Sequence, residues 1–161
     1  MSLIFIDTEA RGPCPRLGQM TEFGAVEYKS RRTFHGILVD LEPDPKNPAI
    51  PRIIDKAYDP KIIAISFEAW LNQVSVDRPI FVSDNPAFDF MWMADFLHTN
   101  LGYNPFGHSG RRISDFYAGL VGDFRRTQDW KRLRVTPHDH NPVHDSLGNI
   151  EAFERLLNGE R

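Results

Sequence analysis

The sequence predicts an α/β protein with a central mixed β-sheet flanked by α-helices. Three observations predict it. Short apolar runs fill the first part of the chain, and helical patterns follow and mix with one further strand-like run. Two helix starts carry the same signature, Asn85-Pro86 and Asn141-Pro142, each with an aspartate three residues after the proline. A length of 161 residues suits one domain, residues 1–161, with a single core.

Leu3 to Asp7 (LIFID) is a short apolar run and reads as a buried strand. The Pro/Gly-rich RGPCPRLG follows as a loop. TEFGAVEYKS and RRTFHGILVDL read as two further strands joined by a tight turn near Ser30. LEPDPKNPAIP holds four prolines in eleven residues and reads as a loop. SFEAWLNQV reads as a helix with Ser66 as its N-cap, and Pro79 to Asp84 (PIFVSD) as a strand. Asn85 caps the next helix with Pro86 at its first position, and that helix should end near Gly102. Ser114 and Thr127 each head a shorter helix. Asn141 and Pro142 open the last one, which should end near Gly159.

Composition excludes several classes. The chain is 41% hydrophobic and 25% charged, as an ordinary globular protein is. The single cysteine, Cys14, rules out a disulfide framework and a cysteine-based metal site, and fits a reducing compartment. The start MSLIFID lacks the basic head and long apolar stretch of a signal peptide, and no run is long enough to span a membrane. A cytoplasmic protein that does not engage membranes is expected. The net charge is -3, yet residues 111–134 hold seven basic and three acidic residues, a local +4 against -7 elsewhere. Charge alone leaves that segment two readings, a phosphate-binding face or a solvated surface.

The acids carry more information. Asn at the N-cap and Pro at N1 put Asp89 and Asp145 one turn into their helices, where the helix dipole favours an acid by about 0.3–1 kcal/mol. Capping alone therefore accounts for either aspartate taken singly. Asp7 and Glu9 alter that reading. They lie two apart at the end of the first strand, so they point to one face and repel each other. Four carboxylates from one strand and two helix starts could converge on divalent cations. An all-oxygen set suits Mg²⁺ or Mn²⁺ rather than zinc.

Asp7-Thr8-Glu9, then Asn85-Pro-Ala-Phe-Asp89, then His140 with Asp145 five residues on, resemble the three motifs of the DEDDh 3′–5′ exonucleases. That family has a ribonuclease-H-like fold and includes oligoribonuclease, the proofreading subunit of bacterial replicative polymerase and small exoribonucleases. The resemblance runs from Leu3 to about Phe153, with support from Glu22-Phe-Gly-Ala-Val26 and Ile113-Ser-Asp115. It departs at Pro142, where the family has alanine, and at His144 and Ser146, where it has small residues near the aspartate. The resemblance implies that Asp7, Glu9, Asp89 and Asp145 hold two metal ions, Mg²⁺ or Mn²⁺. It makes His140 the general base toward water, a role suited to the side chain that titrates nearest neutrality. It implies single-stranded RNA or DNA with a free 3′ end as partner, trimmed to nucleoside 5′-monophosphates. RNA or short strands are the first expectation, and a DNA-specific enzyme is the alternative. Oligomeric state stays open, a homodimer included.

Further residues are placed with less specificity. Thr8 and Ala10 match positions where the family uses backbone near the terminal nucleotide, Asn85 matches an asparagine near the family's active site, and Arg125, Arg126 and Arg132 are candidates for phosphate contact. Asn85 is also a simple N-cap. Phe88, Trp92, Phe96 and Leu97 fall at helical spacing as core; Phe90 and Trp130 suit packing better than base stacking. His138, Asp139, His140, His144 and Asp145 could instead form a zinc site, although a helix start separates His140 from His144. Outside a zinc site, His138 and His144 read most simply as surface residues, and His144 could also reach substrate or the neighbouring metal site. The competing function is a catalytically silent nucleic-acid-binding domain of the same fold, and the presence of all five motif residues favours the enzyme.

Overall fold

The computed structural model describes residues 2–39, 41–44, 47–53 and 58–160. Five strands form one mixed sheet in the order β3-β2-β1-β6-β7. They are β1 (Ser2–Arg11), β2 (Gln19–Glu27), β3 (Thr33–Ile37), β6 (Pro79–Ser83) and β7 (Gly110–Arg112). β1, β2 and β3 pair antiparallel, whereas β6 runs parallel to both β1 and β7. The fold is ribonuclease-H-like α/β, as the motifs imply.

Period-two alternation divides the core between the two faces of this sheet. Ile4 and Ile6 of β1, Phe23 and Ala25 of β2 and Phe81 of β6 face α1 (Pro60–Val74) and α2 (Pro86–Leu101), meeting Phe67, Trp70, Trp92, Phe96 and Leu97. Phe5, Val26 and Val82 face the other way, toward α3 (Ile113–Val121) and α4 (Pro142–Leu157) with Tyr117, Trp130, Ile150 and Leu156. Trp130 is fully buried and donates its indole N–H to Ser114 Oγ, so it packs rather than stacks on a base. Phe90 meets Phe81 edge-on and is likewise packed.

Several boundaries differ from expectation. α1 starts at Pro60, six residues before Ser66, because Asp59 caps it by accepting from Lys61 N–H. Ser114 lies inside α3 and donates to Asp84 instead of capping. Thr127 closes a 3₁₀ turn (Phe124–Arg126), and a second 3₁₀ segment spans Asp129–Leu133. The proline-rich stretch expected to be a loop contains β4 (Leu41–Asp44) and β5 (Asn47–Ile53), an antiparallel pair outside the main sheet. A two-stranded ribbon has open edges, where a missing proline N–H costs no ladder bond. Among the described residues no helix is long and apolar enough to cross a membrane.

One close approach fixes α4. A Cβ on Gly24 of β2 would lie 2.3 Å from the backbone at Pro142 C and Val143 N. Only glycine lets the first turn of α4 sit this low on the sheet. Gly24→Ala should therefore destabilise the protein by about 1–3 kcal/mol, the usual cost of overpacking. Denaturant unfolding measures this, and a loss below about 0.5 kcal/mol would mean that α4 draws back freely.

Candidate active site

Strand direction gathers the acids. β1 and β6 are parallel, so the end of β1 and the start of α2, which follows β6, meet at one edge of the sheet. Asp7 and Glu9 stand on the α4 face of β1, opposite Gly24 and Glu22 of β2. The register slips between Glu9 and Ala10, a bulge that leaves Thr21 unmatched and lets its hydroxyl donate to Glu9 O at 3.0 Å. α4 contributes Asp145 from its first turn, where Asn141 caps the helix by accepting from Val143 N and His144 N.

Three carboxylates meet. Oxygens of Asp7, Glu9 and Asp145 lie within 4.8 Å of one another. Asp89 arrives from the opposite face of the sheet, on α2. Its Oδ1 accepts from both the backbone N–H (3.2 Å) and the hydroxyl (3.0 Å) of Thr8, whose side chain points to that face. Asp89 thus stands behind the trio, close enough for its charge to act on Asp7. Of the four expected acids, Asp7, Glu9 and Asp145 form one group and Asp89 stands apart from it on the other face.

The electrostatics follow from crowding and burial. Burial first, then the charges of Asp89, Asp145 and Glu9, push the Asp7 carboxyl well above its ordinary range, while Arg134 opposes them. Burial raises Glu9 as well, against the pull of His140. Burial pushes Asp89 up to about 6, against its hydrogen bonds from Thr8. An all-carboxylate cluster short of positive charge is the donor set that hard divalent cations take. The residues present therefore fit Mg²⁺ or Mn²⁺.

Arg134 is a cation at this site that the motifs do not indicate. Its guanidinium lies 5.1 Å from the Trp130 ring centroid and donates to Asn149 Oδ1 at 2.5 Å, beside Asp84 Oδ2 at 3.7 Å. The other candidate arginines are met elsewhere. Arg125 pairs with Asp123, Arg126 with Asp129, and Arg132 donates to the Asp129 carbonyl. Asn85 occupies the N-cap position of α2, but its side chain makes no capping bond. Ala10 is half-buried at the end of β1.

The histidine cluster separates into two groups. His144 Nδ1 pairs with Asp139 Oδ2 at 2.9 Å on the helix surface, as a surface residue would. His138 is exposed as expected, yet brings Nδ1 to 2.7 Å from Oδ2 of the buried Asp145. His140 has a side chain 72% exposed and Nδ1 3.4 Å from Glu9 Oε1. Its φ of +62° is rare for a residue with a side chain, and strain of this kind tends to sit at functional sites.

No protein-family model matches the chain. It is 28% identical to the 3′–5′ DNA exonuclease Cap18 of Escherichia coli, over 96% of this chain and 90% of that one. The likeness to 3′–5′ exonucleases read from the motifs thus extends through nearly the whole sequence. Among solved structures, it superposes on a zinc-bound complex of E. coli exonuclease I with single-stranded DNA at a TM-score of 0.60 and 13% identity, covering 97% of this chain. It superposes on exonuclease I bound to a dT13 oligonucleotide with a TM-score of 0.60, 13% identity and 99% coverage. The chain spans 39% and 41% of those two exonuclease I chains.

A pH test follows from Asp89. Its pKa rises from 3.8 to about 6 on folding, so the folded state holds the proton more tightly. This stabilising contribution is complete below about pH 3.8 and is lost as pH rises through about 6. Asp7 acts in the same direction. The melting temperature of metal-free protein should fall from about pH 5 to about pH 7.5, and less steeply in Asp89→Asn. Saturating Mn²⁺ should restore the loss by binding the ionised cluster. Parallel profiles for wild type and variant would show that Asp89 is not held in this way.

Proposed function

We propose that this protein is a divalent-metal-dependent 3′–5′ exonuclease that removes nucleoside 5′-monophosphates from single-stranded DNA. One observation carries the reading. Asp7 and Glu9 of one strand and Asp145 of a helix start present carboxylate oxygens within 4.8 Å of one another, with Asp89 behind them. Divalent ions held there, when bound, supply positive charge against the phosphate and favour ionisation of water.

The chain's own residues do the rest. Asp7, Glu9 and Asp145 would hold the ions on rigid elements, and Asp89 would join them as the fourth acid from the far face of the sheet. His140, exposed beside Glu9, takes the proton from water as general base. Arg134 adds a fixed positive charge facing the cluster, where negative charge develops on the phosphate. The backbone at Thr8 and Ala10 and the exposed Asn85, whose side chain makes no capping bond, would line the path of the terminal nucleotide. Arg125, Arg126 and Arg132 each already hold an acceptor, and their remaining guanidinium donors are available to phosphates further along. DNA is named first because the relative of similar length is a DNA exonuclease. RNA, the first expectation from sequence, is the other arm of the test.

The assay uses 5′-end-labelled DNA and RNA oligomers with Mg²⁺, Mn²⁺ or chelator. The expected result is a metal-dependent ladder shortening from the 3′ end, faster on DNA. Asp145→Asn should lose metal binding and cleavage together. His140→Ala should keep metal affinity and lose about 10²–10⁴ in rate. Intact oligomers under every condition would overturn the reading in favour of a silent binding domain.

A further inference from the structure

We propose that His138, His140 and Asp145 form a second metal site, specific for a zinc-class transition ion, which shares Asp145 with the carboxylate cluster. One ligand atom from each of the three lies within 4.8 Å of the others. The two imidazole rings meet edge-on with centroids 4.5 Å apart, and His138 Nδ1 stands 2.7 Å from Asp145 Oδ2.

The state of that oxygen is an independent observation. Asp145 is 1% exposed, yet Oδ2 accepts no aligned hydrogen bond among the described residues. A buried carboxylate oxygen with no hydrogen bond, and an imidazole nitrogen 2.7 Å away, is placed to share a cation with that imidazole. The other carboxylate oxygen already accepts from Asp139 N–H at 3.3 Å, which holds the group with Oδ2 toward the histidines. Asp139 and His144 are engaged with each other and stand outside the set.

Ligand chemistry distinguishes the two sites. The carboxylates of Asp7, Glu9 and Asp145 offer only hard oxygens, whereas two imidazoles and one carboxylate favour Zn²⁺, Cu²⁺ or Ni²⁺. Three protein ligands plus one water complete a tetrahedron. Zinc–nitrogen bonds of about 2.0–2.1 Å place neighbouring ligand atoms about 3.4 Å apart. His138 and His140 are both exposed and can close onto the fixed carboxylate. An ion held there takes Asp145 from the cluster and occupies the ring of His140, so it should inhibit hydrolysis. The inhibition rests on the exonuclease reading; the binding does not.

The test adds Zn²⁺ stepwise to metal-free protein in excess Mg²⁺, against a chromophoric chelator, with Co²⁺ as a visible probe. Wild type and Asp7→Asn should each bind one ion with similar affinity and show the intense Co²⁺ absorption of low coordination. His138→Ala and His138→Gln should lose more than about tenfold in affinity, since a ligand's loss exceeds that of an outer partner. They should also lose the absorption. Equal Zn²⁺ affinity in wild type and both His138 variants would overturn the proposal. So would loss of binding in Asp7→Asn alone, which would assign the ion to the carboxylate cluster. Zn²⁺ should also inhibit cleavage in wild type at concentrations that spare His138→Ala; equal inhibition of both would overturn the regulatory consequence. A protein that cleaves nothing in Mn²⁺ fails the exonuclease reading, and the Zn²⁺ isotherms still decide this one.

Discussion

The backbone of α4 rests directly on Gly24, with no space for a Cβ between them. From that contact the position of Asp145 follows. Gly24 pairs with Asp7 across β1 and β2, so the helix that touches Gly24 delivers its first-turn acid beside Asp7 and Glu9. The bulge after Glu9 and the cap from Asn141 refine the two sides of the same meeting point. Asp89 has no such access. It reaches Asp7 from the far face of the sheet, around the end of β1, and Thr8 holds it there.

The resulting cluster works against the fold that carries it. Burial disfavours ionised Asp7, Glu9 and Asp89, and repulsion from neighbouring acids adds to it at Asp7 and Glu9, so ionising them costs stability in metal-free protein. Opposing charge comes from Arg134 and from the N-termini of α2 and α4, whose dipoles favour negative charge. Arg134 is itself held by Trp130, Asn149 and Asp84, while a Cβ on the neighbouring Gly148 of α4 would lie 2.9 Å from the Thr136 carbonyl oxygen. A rigid cation beside a strained set of carboxylates is a scaffold prepared for ions rather than one that is most stable without them.

Much of this was legible in the sequence where a local signal matched the tertiary outcome. The apolar runs of β1, β2, β3 and β6 and the Pro-headed starts of α2 and α4 read correctly because these are local signals, although only Asn141, and not Asn85, makes the expected capping bonds. α1 was placed late although Asp59-Pro60 repeats the Asn-Pro signal, since the prolines before it read as one long loop. β7 has three residues, Gly110–Arg112, and no pattern to find. At the site, the sequence groups Asp7, Glu9, Asp89 and Asp145 as one set of four, but the separate approach of Asp89 depends on which face α2 packs against. The self-neutralisation of Arg125 and Arg126 was present in their spacing from Asp123 and Asp129. The proximity of Arg134 to Asp7 and of His138 to Asp145 exists only after folding.

The account stands or falls on whether Asp7, Glu9 and Asp145 hold divalent ions where α4 meets β1. Anomalous diffraction from crystals soaked in Mn²⁺ examines that point directly. The account predicts a manganese peak within bonding distance of oxygens from all three carboxylates. Ordered density for the three side chains with no anomalous peak among them, at Mn²⁺ in large excess, would contradict it.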